Sequence, residues 1–128
     1  MKKVSFDFDD TLEFQTVQNY AKELIEKGIE VHIVTTRWED PSKYTFKVTH
    51  DYLFEVAETL GIPKENIHFT NMNWKWSFFI NNPDFIWHLD DNDEEINLFH
   101  KHDVKTKCIS SLSGNYEYDC NELLNLIK

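Results

Sequence analysis

Apolar runs of strand length alternate with helix-period segments along the whole chain, and this alternation restricts the fold more than any other feature. Lys3-Val4-Ser5-Phe6-Asp7 alternates like a strand. Residues 14–27 place Val17, Ala21, Leu24 and Ile25 on one helical stripe, with Gly28 as a natural stop. Residues 29–35 read as a buried strand through Val31, Ile33 and Val34. A second helix is expected from residue 44 or 48 to residue 60, with Leu53, Val56, Ala57 and Leu60 inward and Gly61 as its stop. A turn over residues 62–66 leads to a short strand at 67–70, and an aromatic helix over 73–80 ends at Asn81-Asn82-Pro83. A fourth strand over 84–89, a helix over 93–102 and a fifth strand over 104–109 follow. Asp119 and Glu122 form a capping box ahead of a last helix at 123–127. This series predicts βαβ units with right-handed crossovers. The expected fold is α/β, a Rossmann-like three-layer sandwich around a central parallel five-stranded sheet. No repeat, low-complexity stretch or linker divides the 128 residues, so one domain is expected over 1–128.

Thirteen Lys and Arg stand against 23 Asp and Glu, a net charge of −10. That balance disfavours a broad surface for nucleic-acid phosphates, although a bound divalent cation can reverse the field locally. Two cysteines, Cys108 and Cys120, are too few for a disulfide scaffold or a zinc cluster. No stretch is apolar enough to span a membrane. Met1-Lys2-Lys3 leads into a strand instead of a signal sequence, so a cytoplasmic setting is the expectation.

In open parallel sheets, ligands bind beyond the carboxyl ends of the strands. The first strand delivers Asp7 and Asp9, which share a face in extended chain; the second delivers Thr35, Thr36 and Arg37. The third leads to Asn71 and then Lys75, and the fourth to Asp90 and Asp91. The set combines carboxylates for a metal, a hydroxyl, and cations for an anion. Two convergent carboxylates also allow one to attack while the next moves a proton.

In this arrangement the chain resembles the haloacid dehalogenase superfamily of phosphohydrolases. Asp7-Phe8-Asp9-Asp10-Thr11 matches its first motif, Thr35 its second, Lys75 its third and Asp90-Asp91 its fourth. Lys64 is the rival for the third, but it precedes the third strand and faces the other end. The resemblance implies that Asp7 attacks phosphorus and forms an aspartyl-phosphate, and that Asp9 protonates the leaving oxygen and then activates water. It implies Mg²⁺ on Asp7, the backbone carbonyl of Asp9 and chiefly Asp91, with Asp90 behind it or sharing the site. Thr35 would hydrogen-bond the phosphoryl group and Lys75 would offset its charge. Glu95 stands four residues after Asp91, as in a family variant with a second acid there, but with Glu94 it reads first as a first-turn acid favoured by the helix dipole.

Family members often carry a cap domain, and neither insertion point here has room for one. A capless site is open and suits bulky substrates or a lid from another subunit, so a homo-oligomer is left open. Thr35-Thr36-Arg37 and Asp90-Asp91 look like the phosphatase part of polynucleotide kinase–phosphatases. Thr36, Arg37 and Trp38 are therefore expected at the substrate: Arg37 forks a second phosphate and Trp38 offers a face to a base. The expected partner is a phosphorylated small molecule or nucleic-acid end. Two other classes compete. A phospho-accepting receiver domain needs its acid after the third strand, where this chain has Thr70-Asn71. A catalytically silent binding module has the same fold, but both catalytic Asp positions are filled.

Overall fold

The first strand, β1 (Lys3–Phe6), sends Val4 and Phe6 to one face and Ser5 to the other. The next strand in the sheet, β4 (Trp87–Asp90), does the same with Trp87 and Leu89 against His88 and Asp90. Together with β2 (Glu30–Thr35), β3 (Ile67–Phe69) and β5 (Lys107–Ser110) they make one sheet, parallel throughout, in the order β3-β2-β1-β4-β5. The computed structural model describes residues 1–127.

Each face of the sheet carries its own core. The helices α1 (Gln15–Glu26), α2 (Asp51–Leu60) and α5 (Tyr116–Leu126) cover Val4, Phe6, Val31, Ile33, Trp87 and Leu89. The helices α3 (Trp76–Asn81) and α4 (Asp93–Lys101) set Phe79 and Phe99 against Val34, Phe85 and Val104 on the opposite face. Successive connections run outward from β1 through β2 to β3, then cross back beyond β1 to β4. The topological switch point therefore lies between the carboxyl ends of β1 and β4.

Three helices stop in the same way. After α1 and α2, Gly28 and Gly61 take a left-handed φ of 84° each, and the next amide turns back to the last helical turn, Ile29 N–H to Leu24 O and Ile62 N–H to Ala57 O. After α4, Asp103 takes that place at φ 51°, with Val104 N–H donating to Phe99 O.

Several boundaries differ from the sequence expectation. The helix expected from residue 44 or 48 starts at Asp51. Residues 44–50 are held out of it by their side chains: the Tyr44 hydroxyl accepts from Trp38 N–H, and the buried His50 ring reaches the Trp38 carbonyl. The last helix starts at Tyr116 and runs through Asp119 and Glu122, so those residues are not its cap. Tertiary contacts extend it. The Tyr116 ring meets Tyr20 edge-on, Asn121 accepts from the Tyr20 hydroxyl, and Trp87 Nε1 donates to Cys120 O. The fourth and fifth strands start at Trp87 and Lys107, later than the apolar runs suggest. No helix among the described residues is long and apolar enough to cross a membrane.

Candidate active site

A wide turn carries the chain from β1 into α1. Asp9 stays extended (ψ 128°), Asp10 is left-handed (φ 59°), and the turn closes when Leu12 N–H donates to Asp7 O at 3.1 Å. An acidic cavity of about 390 Å³ opens above the switch point, and Asp7, Asp9, Thr36, Lys75, Asp90 and Asp91 help line it. A larger concavity of about 860 Å³ runs along β5 between α4 and α5, but its lining is mostly apolar and includes none of these residues. Chemistry, rather than volume, identifies the site.

At the cavity floor, the Lys75 ammonium lies 2.8 Å from Asp7 Oδ1 and 2.6 Å from Asp90 Oδ2, with its residue only 1% exposed. Burial opposes the ammonium, but the two carboxylates outweigh it and hold Lys75 above the usual lysine range. One cation cannot satisfy both acids equally. Burial pushes Asp7 well above the usual carboxylate range despite Lys75, and nearby Asp90 adds to the rise. Burial also acts on Asp90, but Lys75 together with a hydrogen bond from His88 keeps it low and ionised.

His88 extends this network beneath the floor. Its Nε2 lies 2.7 Å from Asp90 Oδ2 and its Nδ1 2.8 Å from Ser5 Oγ. A carboxylate can only accept, so Nε2 donates and Nδ1 accepts from the serine. Burial, helped by the nearby Lys75, lowers His88 to about 4, consistent with a neutral ring. Glu95 closes another wall. Its carboxylate accepts from Lys75 N–H at 3.1 Å, and burial raises it to about 7. Glu95 does occupy the first turn of α4, as expected, but it is buried at the site instead of facing solvent.

Oxygen atoms of Asp7, Asp90 and Asp91 converge to within 4.8 Å of one another. With all three carboxylates ionised, one ammonium would leave two negative charges for a cation to offset, and hard oxygen donors suit Mg²⁺. Lys75 occupies one oxygen of Asp7 and one of Asp90, while the Thr11 hydroxyl reaches Asp7 Oδ2 at 3.3 Å and Asp91 Oδ1 at 3.4 Å. These residues fit a divalent cation.

The residues at and after the end of β2 are arranged differently from the expectation. Thr35 is fully buried, does not line the cavity, and its hydroxyl accepts from Arg37 N–H at 3.2 Å. Thr36 does line it. Arg37 directs its fork at Asp9, with Nε to Oδ2 at 2.9 Å and Nη2 to Oδ1 at 2.6 Å. That hydrogen bond holds the guanidinium pKa above its usual value. Trp38 is half-buried outside the cavity lining. Lys64 lies over the Phe54 ring, away from the site. The strand histidines His32 and His68 stack on one another, His32 Nδ1 2.9 Å from His68 Nε2.

Ser5, His50, the link from His88 to Asp90 and the buried placement of Glu95 were missed in the sequence. For Ser5 and His88 a signal existed: each stands two residues before a site aspartate in a strand and so shares its face. No protein-family model matches this chain, and neither does any curated protein.

Proposed function

We propose that this chain is a capless phosphohydrolase of the haloacid dehalogenase type that cleaves phosphomonoesters through an aspartyl-phosphate on Asp7, with Mg²⁺ as its cofactor. The observation that carries the reading is Lys75 Nζ held between Asp7 and Asp90 at the switch point, with Asp91 converging on the same pair. A buried lysine between two carboxylates offsets charge where an anion would gather more of it.

An oxygen of Asp7 attacks phosphorus, the bond from phosphorus to the leaving oxygen breaks, and Asp9 gives that oxygen its proton. Asp9 then takes a proton from water as the water oxygen attacks the phosphorus of the aspartyl-phosphate, which returns the Asp7 carboxylate and free phosphate. Lys75 stabilises the nucleophile and the phosphoryl oxygens. Of the two threonines, Thr36 lines the cavity, so we assign it the hydrogen bond to the phosphoryl group that the resemblance gives to Thr35. Mg²⁺ on Asp7, Asp90 and Asp91 would polarise the phosphoryl group and neutralise its charge.

A capless reading is supported by the short connections: only a turn and α1 join β1 to β2, and only the loop of residues 36–50 and α2, followed by a short turn, join β2 to β3. The acidic surface favours a small phosphorylated molecule over a nucleic-acid end.

Hydrolysis of a generic aryl phosphate with and without Mg²⁺ tests the activity. Asp7→Asn, nearly isosteric but a poor nucleophile, is expected to abolish turnover while leaving the fold intact. Near-normal turnover in the folded variant removes Asp7 from the reaction. Phosphate-ester binding without turnover in the wild type points to a silent binding module.

A further inference from the structure

Arg37 is held from two sides. Behind it, Nη1 donates to His50 Nδ1 at 3.1 Å and to the Thr49 carbonyl at 3.4 Å. His50 Nε2 lies 2.9 Å from the Trp38 carbonyl, which can only accept, so Nε2 carries the proton and Nδ1 is left to accept from Arg37. His50 is 5% exposed. The Phe8 ring packs on the guanidinium with Cζ 5.3 Å from its centroid. In front, the only partner of Nε and Nη2 among the described residues is Asp9. Asp9 is the solvent-facing end of this pair, its side chain 50% exposed against 19% for Arg37.

The Thr49 and His50 contacts do not involve Asp9, so the guanidinium keeps partners when the half-exposed Asp9 side chain turns away. Two parallel N–H donors match a phosphate as well as they match a carboxylate, and a phosphate dianion carries more charge. While Arg37 holds both oxygens of Asp9, neither is free for a leaving oxygen.

We propose that Arg37 is the receptor for a second phosphate of the substrate, and that Asp9 occupies its fork until that phosphate displaces it. The proposal rests on the phosphohydrolase reading above and narrows its substrate class to small phosphomonoesters that carry a second phosphate. Docking of the second phosphate releases Asp9 to the reacting bond, so a substrate without one still turns over, but slowly, in the fraction of molecules whose Asp9 has left the fork. His50 is a positioning residue: it aims the guanidinium and touches no substrate.

The competition between Asp9 and the second phosphate can be measured without turnover. Calorimetric titrations with Mg²⁺ present would compare propylphosphonate with α,ω-alkane bisphosphonates of increasing length, all inert to hydrolysis. Wild type is expected to bind at least one bisphosphonate about tenfold tighter than the monophosphonate, the gain of one charge-assisted contact. Arg37→Ala is expected to erase that gap. Asp9→Asn, which frees the fork, is expected to widen it several-fold. That widening is the signature of exchange, because an arginine that served only as an ion-pair partner would leave bisphosphonate affinity unmoved. Absence of a gap at every chain length, or no widening in Asp9→Asn, overturns the proposal. A 3′-phosphorylated oligonucleotide that binds tighter than every bisphosphonate overturns the assignment to a small substrate. If monophosphonate binds and aryl phosphate is hydrolysed without a gap, only this proposal fails. If neither occurs, the phosphohydrolase reading fails with it.

Discussion

Glu95 stands in the first turn of α4, where the helix dipole favours an acid, yet its carboxylate is folded into the cavity wall against Lys75 N–H. Burial raises it from the ordinary 4.5 to about 7. A carboxyl that holds its proton more tightly in the folded state lowers stability once the pH is high enough for the unfolded chain to ionise it. The penalty is absent below about 4.5, grows between 4.5 and 7, and is constant above. Glu95→Gln keeps an acceptor for Lys75 N–H and removes the ionisation. Its stability relative to wild type should therefore climb across that window and then level, with a total rise on the order of 3 kcal/mol. Urea unfolding in chelator at a series of pH values would measure it. A pH-independent difference would mean that the carboxylate is solvated. The same residue shows where sequence reading ends. Its place in the helix was legible from the helix expected over 93–102 and its first-turn acids, but its burial depends on a lysine twenty residues earlier.

The helices α1, α2 and α4 end in one backbone motif, and each end turns the chain toward the next strand. At Gly61 the left-handed φ of 84° is the whole requirement, since a Cβ built there meets nothing within 4 Å. Gly61→Ala should cost about 1 kcal/mol through backbone strain alone. Thermal unfolding would read the loss, and an unchanged melting temperature would show that the end of α2 relaxes into another turn. Gly28 and Gly61 were readable as stops because the requirement is local. The start of α2 was not. The apolar pattern permits helix from residue 44 or 48, but Tyr44 and His50 spend their side chains on Trp38, and His50 also takes Arg37. The start of α5 was missed for the opposite reason: partners on Tyr20 and Trp87 extend a helix through residues that resemble a cap.

Across the whole molecule, a surplus of acid meets at one end of the sheet. Asp7, Asp90 and Asp91 share a single ammonium, so the metal-free protein retains like-charge repulsion that unfolding relieves. A cation that binds only the folded cluster stabilises by linkage, about 2.7 kcal/mol at a hundredfold excess over its dissociation constant. For a domain of this length that is roughly a 10 °C rise in melting temperature. Mg²⁺ should produce the rise, NaCl of equal ionic strength should not, and Asp91→Ala should remove most of it. Scanning fluorimetry across Mg²⁺ concentrations measures all three. A melting temperature indifferent to Mg²⁺ would leave the cluster without a cation.

The strand pattern alone implied a parallel sheet covered on both faces, and strand ends alone marked Asp7, Asp90 and Asp91 as candidates. Both follow from local periodicity, since the pleat sends alternate residues to opposite faces and a strand must end where its apolar run does. Tertiary structure alone decided that β1 and β4 are neighbours, which brings Asp7 and Asp90 to one lysine. It also decided that Arg37 faces Asp9 instead of open solvent. Those partners stand 68 and 28 residues apart. Contacts at such separations leave no period in the chain, because they are set by the crossovers and by which face each helix covers.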